Sequence, residues 1–228
     1  MNIASDIAEL GAWRDRRGLV VFVRHGERET GPSHAVPRHD APLTESGRRA
    51  AESMGQLLEG RLGAVRSSPV PRCVDTALAV IAGAKHASAP IHDRLLGDPG
   101  AFVVDGECAM AELVSRGFHP AARQLGNGEQ LPGFADPDRA TQQLLALAHS
   151  LLAAEPSRVH VLVTHDLILS TMVARVRGVA LEGREWPGYL HGLAVWRDKL
   201  QLVSRYAAVE HAVPNRLVLE LRTDLHAG

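Results

Sequence analysis

Along the chain, short apolar runs alternate with segments whose apolar residues recur every three or four positions. An unbroken run or strict alternation marks a strand, and a period near 3.6 marks a helix. The first run, LVVFV at 19–23, ends at once in Arg24, His25 and Gly26. The stretch LTESGRRAAESMGQLLEGRL reads as a helix from about Thr44, with Leu43 packing under its start. A short strand near 64–66 precedes SSPVPRCVDTALAVIAG, a turn and then a helix. Another short strand is expected around Ile91. After the helical DPDRATQQLLALAHSLLAAEP comes a second buried run, RVHVLVTHD at 158–166, followed by a helix over LILSTMVARVRG. LAVWRDKLQLVSRYAAV has the alternation of a hairpin turning near Asp198 and Lys199, and NRLVLELR reads as a last strand. The start, MNIASDIAELGAWRDRRG, puts Ile3, Ile7, Leu10 and Trp13 near one face of a helix that Ser5 caps.

Strands alternating with helical patterns predict an α/β fold, a mostly parallel sheet with helices on both faces. No internal repeat divides the chain, so one domain over 1–228 is expected. Residues 97–135 depart from the pattern. They are rich in Gly and Pro, with one helical stretch around Cys108 to Arg116, and read as a small irregular cap or lid insertion.

Composition narrows the partners. Charged residues make up 22% and the formal net charge is -1, which argues against the broad basic surface that nucleic acid requires. A small basic pocket remains compatible with that total. No 18-residue apolar run marks a membrane helix, and Asp6 and Glu9 interrupt the place of a signal peptide's apolar core. Cys73 and Cys108 form neither a disulfide framework nor a CxxC pair, which fits a reducing cytoplasm. Nothing in the pattern speaks to oligomeric state.

The chemistry gathers where strands end. The runs at 19–23 and 158–164 are followed by His25 and His165. Ligands of open parallel sheets sit beyond the carboxyl ends of strands, where strand order reverses. Neighbouring strands there would bring both imidazoles into one crevice. Arg24 and Arg28 flank His25, and Arg72 opens the helix after SSPVP. Arginine forks match phosphate oxygens, and helix N-termini favour anions. Neither histidine repeats a metal spacing such as HExxH, so no metal and no cofactor is expected. Two imidazoles among arginines suit phosphoryl transfer, one imidazole attacking while cations stabilise the equatorial oxygens.

Four ordered motifs carry a family resemblance: RHGER at 24–28, PLTESGRRAA at 42–51, SSPVPRCVDTA at 67–77 and THD at 164–166. Together they resemble the histidine phosphatase superfamily of phosphoglycerate mutase-like enzymes and acid phosphatases, over roughly residues 19–180. The resemblance implies a phosphoglycerate mutase-like fold, with His25 as the nucleophile that becomes phosphorylated. It also implies that Arg24, Arg72 and His165 complete the phosphate pocket. SSPVPRCVDTA and the short chain resemble the mutase-like branch. Arg28 and Asp166 resemble the acid phosphatase branch, whose RHGxRxP pattern is broken here by Thr30. Where the mutase-like branch has a catalytic Glu after the third strand, this chain has Gly97, with Asp98 beside it.

The expected activity is therefore metal-independent hydrolysis of a small phosphomonoester through phosphohistidine, with Asp166 as the preferred acid. Asp98 and Glu107 compete for that role. Asp166 has a second reading as a helix cap, and Arg28 as a partner of Glu27 or Glu29. Two rival functions are a phosphomutase of the same superfamily and a silent module that binds phosphorylated ligands. His34, His39 and His191 are read as structural or solvated, and Trp13, Trp186 and Trp196 as residues of the core or its edge.

Overall fold

The computed structural model describes residues 16, 18–29, 41–199 and 201–218. Its elements in chain order are β1 (Leu19–Arg24), α1 (Glu45–Gln56), β2 (Leu62–Ser67), α2 (Pro71–Gly83), β3 (Ile91–His92), α3 (Gly106–Arg116), α4 (Phe118–Gly126), α5 (Pro137–Ala154), β4 (Val159–Thr164), α6 (Asp166–Arg177), β5 (Gly192–Asp198), β6 (Gln201–Tyr206) and β7 (Val209–Ala212). The sheet order is β3-β2-β4-β1-β5-β6-β7. The first four strands in that order pair in parallel, and β5, β6 and β7 extend the sheet antiparallel from β1.

The unbroken apolar runs follow from burial on both faces of the sheet. Successive side chains of a strand point to opposite faces. Val20 and Phe22 pack with Leu144 and Leu145 of α5 and Leu169 and Met172 of α6. Leu19, Val21 and Val23 pack on the other face with Met54 of α1 and Ala77 and Val80 of α2. Helix α1 starts at Thr44, whose hydroxyl accepts the Gly47 N–H at 2.9 Å. Helix α2 starts with Pro71, which loses nothing at a position whose N–H has no helical partner.

Two expectations need correction. The described part of NRLVLELR does not begin as a strand: Asn215–Leu217 form a 3-10 turn behind Pro214, and a strand at Val209–Ala212 precedes it. Residues 97–135 are more regular than their Gly and Pro content implies. They hold α3 and also α4, with a small core of Val103, Ala109, Ala121, Leu125, Leu131 and Phe134. Trp196 is buried and Trp186 is half-buried, in keeping with the reading of core or core edge. The helix expected over Ile3 to Trp13 and the histidines His34 and His39 lie outside the described residues. No helix among the described residues is long and apolar enough to cross a membrane.

Candidate active site

Strands β1 and β4 are neighbours in register, with Arg24 opposite Thr164. The next residue on each is a histidine. His25 N–H donates to the Thr164 carbonyl at 3.0 Å, so the two strand ends are stitched together at the site. The imidazole rings of His25 and His165 stand 5.7 Å apart, edge to face.

Two contacts determine the His25 tautomer. Arg72 Nε is a donor only, and it lies 3.0 Å from His25 Nε2. The Gly26 carbonyl is an acceptor only, and it lies 2.8 Å from Nδ1. Nδ1 therefore carries the proton and Nε2 presents its lone pair to the crevice. Burial drives the His25 pKa down to about 2, with repulsion from His165, Arg72 and Arg24 in the same direction and the Gly26 bond opposing. His25 is a neutral imidazole, only 3% exposed.

Arg72 is the hub. It is 6% exposed, and its Nη2 lies 3.2 Å from His165 Nδ1 while Nε holds His25. His165 Nε2 in turn meets Ser68 Oγ at 3.0 Å. Thr76 ties this helix start to the RHG turn. Its hydroxyl donates to the Arg72 carbonyl at 2.6 Å and accepts the Gly26 N–H at 2.9 Å. Cys73 is buried beside His165, and burial pushes its thiol up to about 12, so it remains uncharged.

Arg24 is held on three sides. Nη1 donates to the Pro187 carbonyl at 2.7 Å, Nη2 pairs with Asp166 at 3.0 Å, and the guanidinium lies 4.3 Å from the Tyr189 ring centre. The Tyr189 ring also packs 5.8 Å from His25. Arg28 bridges to Leu43 and donates to the Glu29 carbonyl at 3.3 Å, while its charge is felt by Arg72.

His25, His165, Arg24, Arg72 and Asp166 thus converge, with Arg28 at the margin. Asp166 is the first helical residue rather than the cap; the cap position belongs to His165. The Asp98 carboxylate lies beside Gly106 at the start of α3. Glu107 is exposed on the first turn of that helix. A Cβ at Gly97 would stand 2.6 Å from Ser68 Oγ. The hydroxyl that meets His165 therefore crowds any side chain from this position. His191 contributes backbone, its carbonyl accepting the Arg24 N–H at 3.0 Å.

Ser68, Thr76 and Tyr189 were not singled out from the sequence. Ser68 stands just past the end of β2, where the strand-end rule applied to the histidines would have found it. Tyr189 lies in a loop with no local signal. Among the described residues, no three His, Cys, Asp or Glu side chains gather as a metal site needs.

The family model for the histidine phosphatase superfamily (branch 1) matches residues 20–195. The chain belongs to that superfamily. No curated protein matches it. Among solved structures it is similar to mycobacterial hydrolase 1 (20% identity, 87% of this chain and 100% of the other, TM-score 0.57). It is similar to a mycobacterial glucosyl-3-phosphoglycerate phosphatase in complex with VO3 (21% identity, 84% and 98%, TM-score 0.56). It also resembles the phosphoglycerate mutase of Bacillus anthracis (14% identity, 91% and 98%, TM-score 0.53). Identities this low speak for the fold. Within the superfamily the match is to branch 1, although Arg28 and Asp166 resemble the acid phosphatases.

Proposed function

We propose that this histidine phosphatase superfamily member hydrolyses a small phosphomonoester through a phosphohistidine on His25. The observation that carries the reading is the His25 Nε2 lone pair, aimed at the buried Arg72 in a crevice of cations. A neutral imidazole is a nucleophile, and an imidazolium is not.

The incoming phosphate takes over the hydrogen bonds that Arg72 and Arg24 make in the resting site, with Arg28 closing from the mouth. Releasing Arg72 frees the Nε2 lone pair. Nε2 attacks phosphorus in line, and the bond to the ester oxygen breaks. The ring becomes cationic as it is phosphorylated, and the Gly26 carbonyl already faces the Nδ1 proton that must be stabilised. His165 and the arginines hold the charge on the equatorial oxygens. Asp166 gives its proton to the leaving alkoxide, then takes one from the water that cleaves the phosphorus–nitrogen bond. Phosphate leaves, and His25 returns neutral.

The test is turnover of nitrophenyl phosphate combined with rapid denaturing quench in base. His25→Ala should abolish phosphate release while leaving the unfolding midpoint unchanged. Brief reaction of the unaltered protein with labelled substrate should trap label that is lost in acid and kept in base. Label on serine or aspartate would overturn the mechanism. An isomeric ester in place of free phosphate would make the reaction a mutase, and retained binding with no turnover would make the protein a binding module. Chelators should leave the rate unchanged.

A further inference from the structure

The loop that follows α6 touches the site and something else. Pro187 and Tyr189 hold Arg24, while Trp186, one residue earlier, helps wall a cavity of about 460 Å³. Helix α4 supplies His119, Pro120 and Arg123 to it, and Leu181, Glu182 and Trp186 stand opposite. The Trp186 ring meets His119 at 5.1 Å and Phe118 at 5.6 Å, both edge to face. Arg123 and Glu182 form a pair at 3.5 Å. Neither the His119 ring nor the Trp186 indole N–H has a hydrogen-bond partner among the described residues.

One short loop ties the cavity wall at Trp186 to Arg24 of the phosphate site. The Pro187 carbonyl is 2.7 Å from Arg24. Two residues of chain span at most about 7 Å, so Trp186 stands within roughly 10 Å of that guanidinium. Helix α4 agrees with this placement. Its far end packs where Gly126 meets Ala174, well along α6, and its near end meets Trp186, one residue before the Pro187 that holds Arg24.

We propose that this cavity receives the part of the substrate beyond its phosphate, and that this part is a neutral, hydroxyl-bearing ring such as a sugar or a cyclic polyol. The proposal rests on the phosphohydrolase reading. Three features select the class. The walls carry aromatic and apolar groups, Trp186, Pro120 and Leu181, which suit the C–H face of a ring. The polar groups offer donors (Arg123, His119, the indole) and an acceptor (Glu182). A hydroxyl both donates and accepts, so adjacent hydroxyls can satisfy both kinds. The charges of Arg123 and Glu182 cancel. A second phosphate or a carboxylate would find no surplus cation and would face Glu182, and a plain alkyl chain would leave the polar groups stranded. The volume falls in the range usual for small-molecule pockets, about 300–1,000 Å³.

The experiment compares phosphate release from a hexose phosphate, inositol monophosphate, glycerol phosphate and phosphoglycerate, with nitrophenyl phosphate to report the chemistry. The ring polyol esters should exceed glycerol phosphate and phosphoglycerate by about tenfold or more in kcat/KM, a range that binding contacts supply. Glu182→Gln and Trp186→Leu should each reduce that ratio severalfold, chiefly through KM for the ring esters. The ratio is the readout, so a general loss of activity does not imitate the effect. Ring esters no better than glycerol phosphate, or a ratio that survives both substitutions, would overturn the proposal. Continued hydrolysis of nitrophenyl phosphate in that case would leave the phosphohydrolase reading standing. A protein that releases phosphate from none of the esters, nitrophenyl phosphate included, would remove both.

Discussion

His25 owes its reactive form to its immediate neighbours, and the same reasoning extends to the acid. A pure acceptor at Gly26 and a pure donor at Arg72 leave one tautomer only. Asp166 is less free, since its carboxylate is paired with Arg24 at 3.0 Å. A positioned acid typically contributes ~10²–10⁴-fold. Asp166→Asn should therefore lower kcat by about a hundredfold or more for alkyl phosphates, and much less for nitrophenyl phosphate, whose leaving group needs little protonation. Asp98→Asn and Glu107→Gln should show no dependence on the leaving group, because one carboxylate packs on Gly106 and the other is exposed. Equal loss of both ester types in Asp166→Asn would make Asp166 a positioning residue for Arg24 instead of the acid.

At the scale of elements, the site depends on how α1 and α2 sit against the sheet. Arg72 opens α2, and the backbone after His25 rests on α1, where Thr44 N–H donates to the Glu27 carbonyl at 2.9 Å. Close approach of the two helices needs glycine. A Cβ at Gly55 would stand 2.1 Å from the Val80 carbonyl oxygen, and one at Gly83 would stand 1.9 Å from that of Glu52. Both obstacles are backbone, which cannot rotate away. Gly83→Ala should cost about 1–3 kcal/mol, the usual price of overpacking, read as a lower urea midpoint at unchanged slope. A midpoint equal to that of the unaltered protein would mean the helices can part at no cost.

Stability of the whole molecule should depend on pH through buried imidazoles. His160, on β4, is 1% exposed, and its Nδ1 accepts the Ala64 N–H at 3.1 Å. Burial lowers its pKa below 6.5, and burial lowers that of His25 to about 2. Both groups bind protons more readily in the unfolded chain. Their contribution to stability is complete above pH 6.5 and is lost progressively as pH falls below it. Urea midpoints should thus be flat above neutrality and decline from pH 6.5 toward pH 4, and His160→Gln should reduce the decline. A midpoint that rises on acidification would contradict the assignment of these histidines as neutral.

Much of this was legible in the residues themselves. An apolar run needs no knowledge of its neighbours to be read as a strand, because burial on both faces writes itself into successive positions. LVVFV and VHVLV were therefore readable, and so were the histidine after the first and the threonine and histidine after the second. RHGER, SSPVPRCVDTA and THD supplied the family for the same reason, since each is a local requirement of one strand end or one helix start. Tertiary structure decided what depends on distant partners. The neighbouring of β1 and β4, the tautomer of His25, and the hold of Arg24 by Pro187 and Tyr189 all join residues far apart in sequence. Helix α4 escaped because its apolar residues pack on α6 and on a small separate core, while its Gly and Pro neighbours imitate a loop. Local composition records which backbone shapes a residue tolerates, and only the folded contacts select among them.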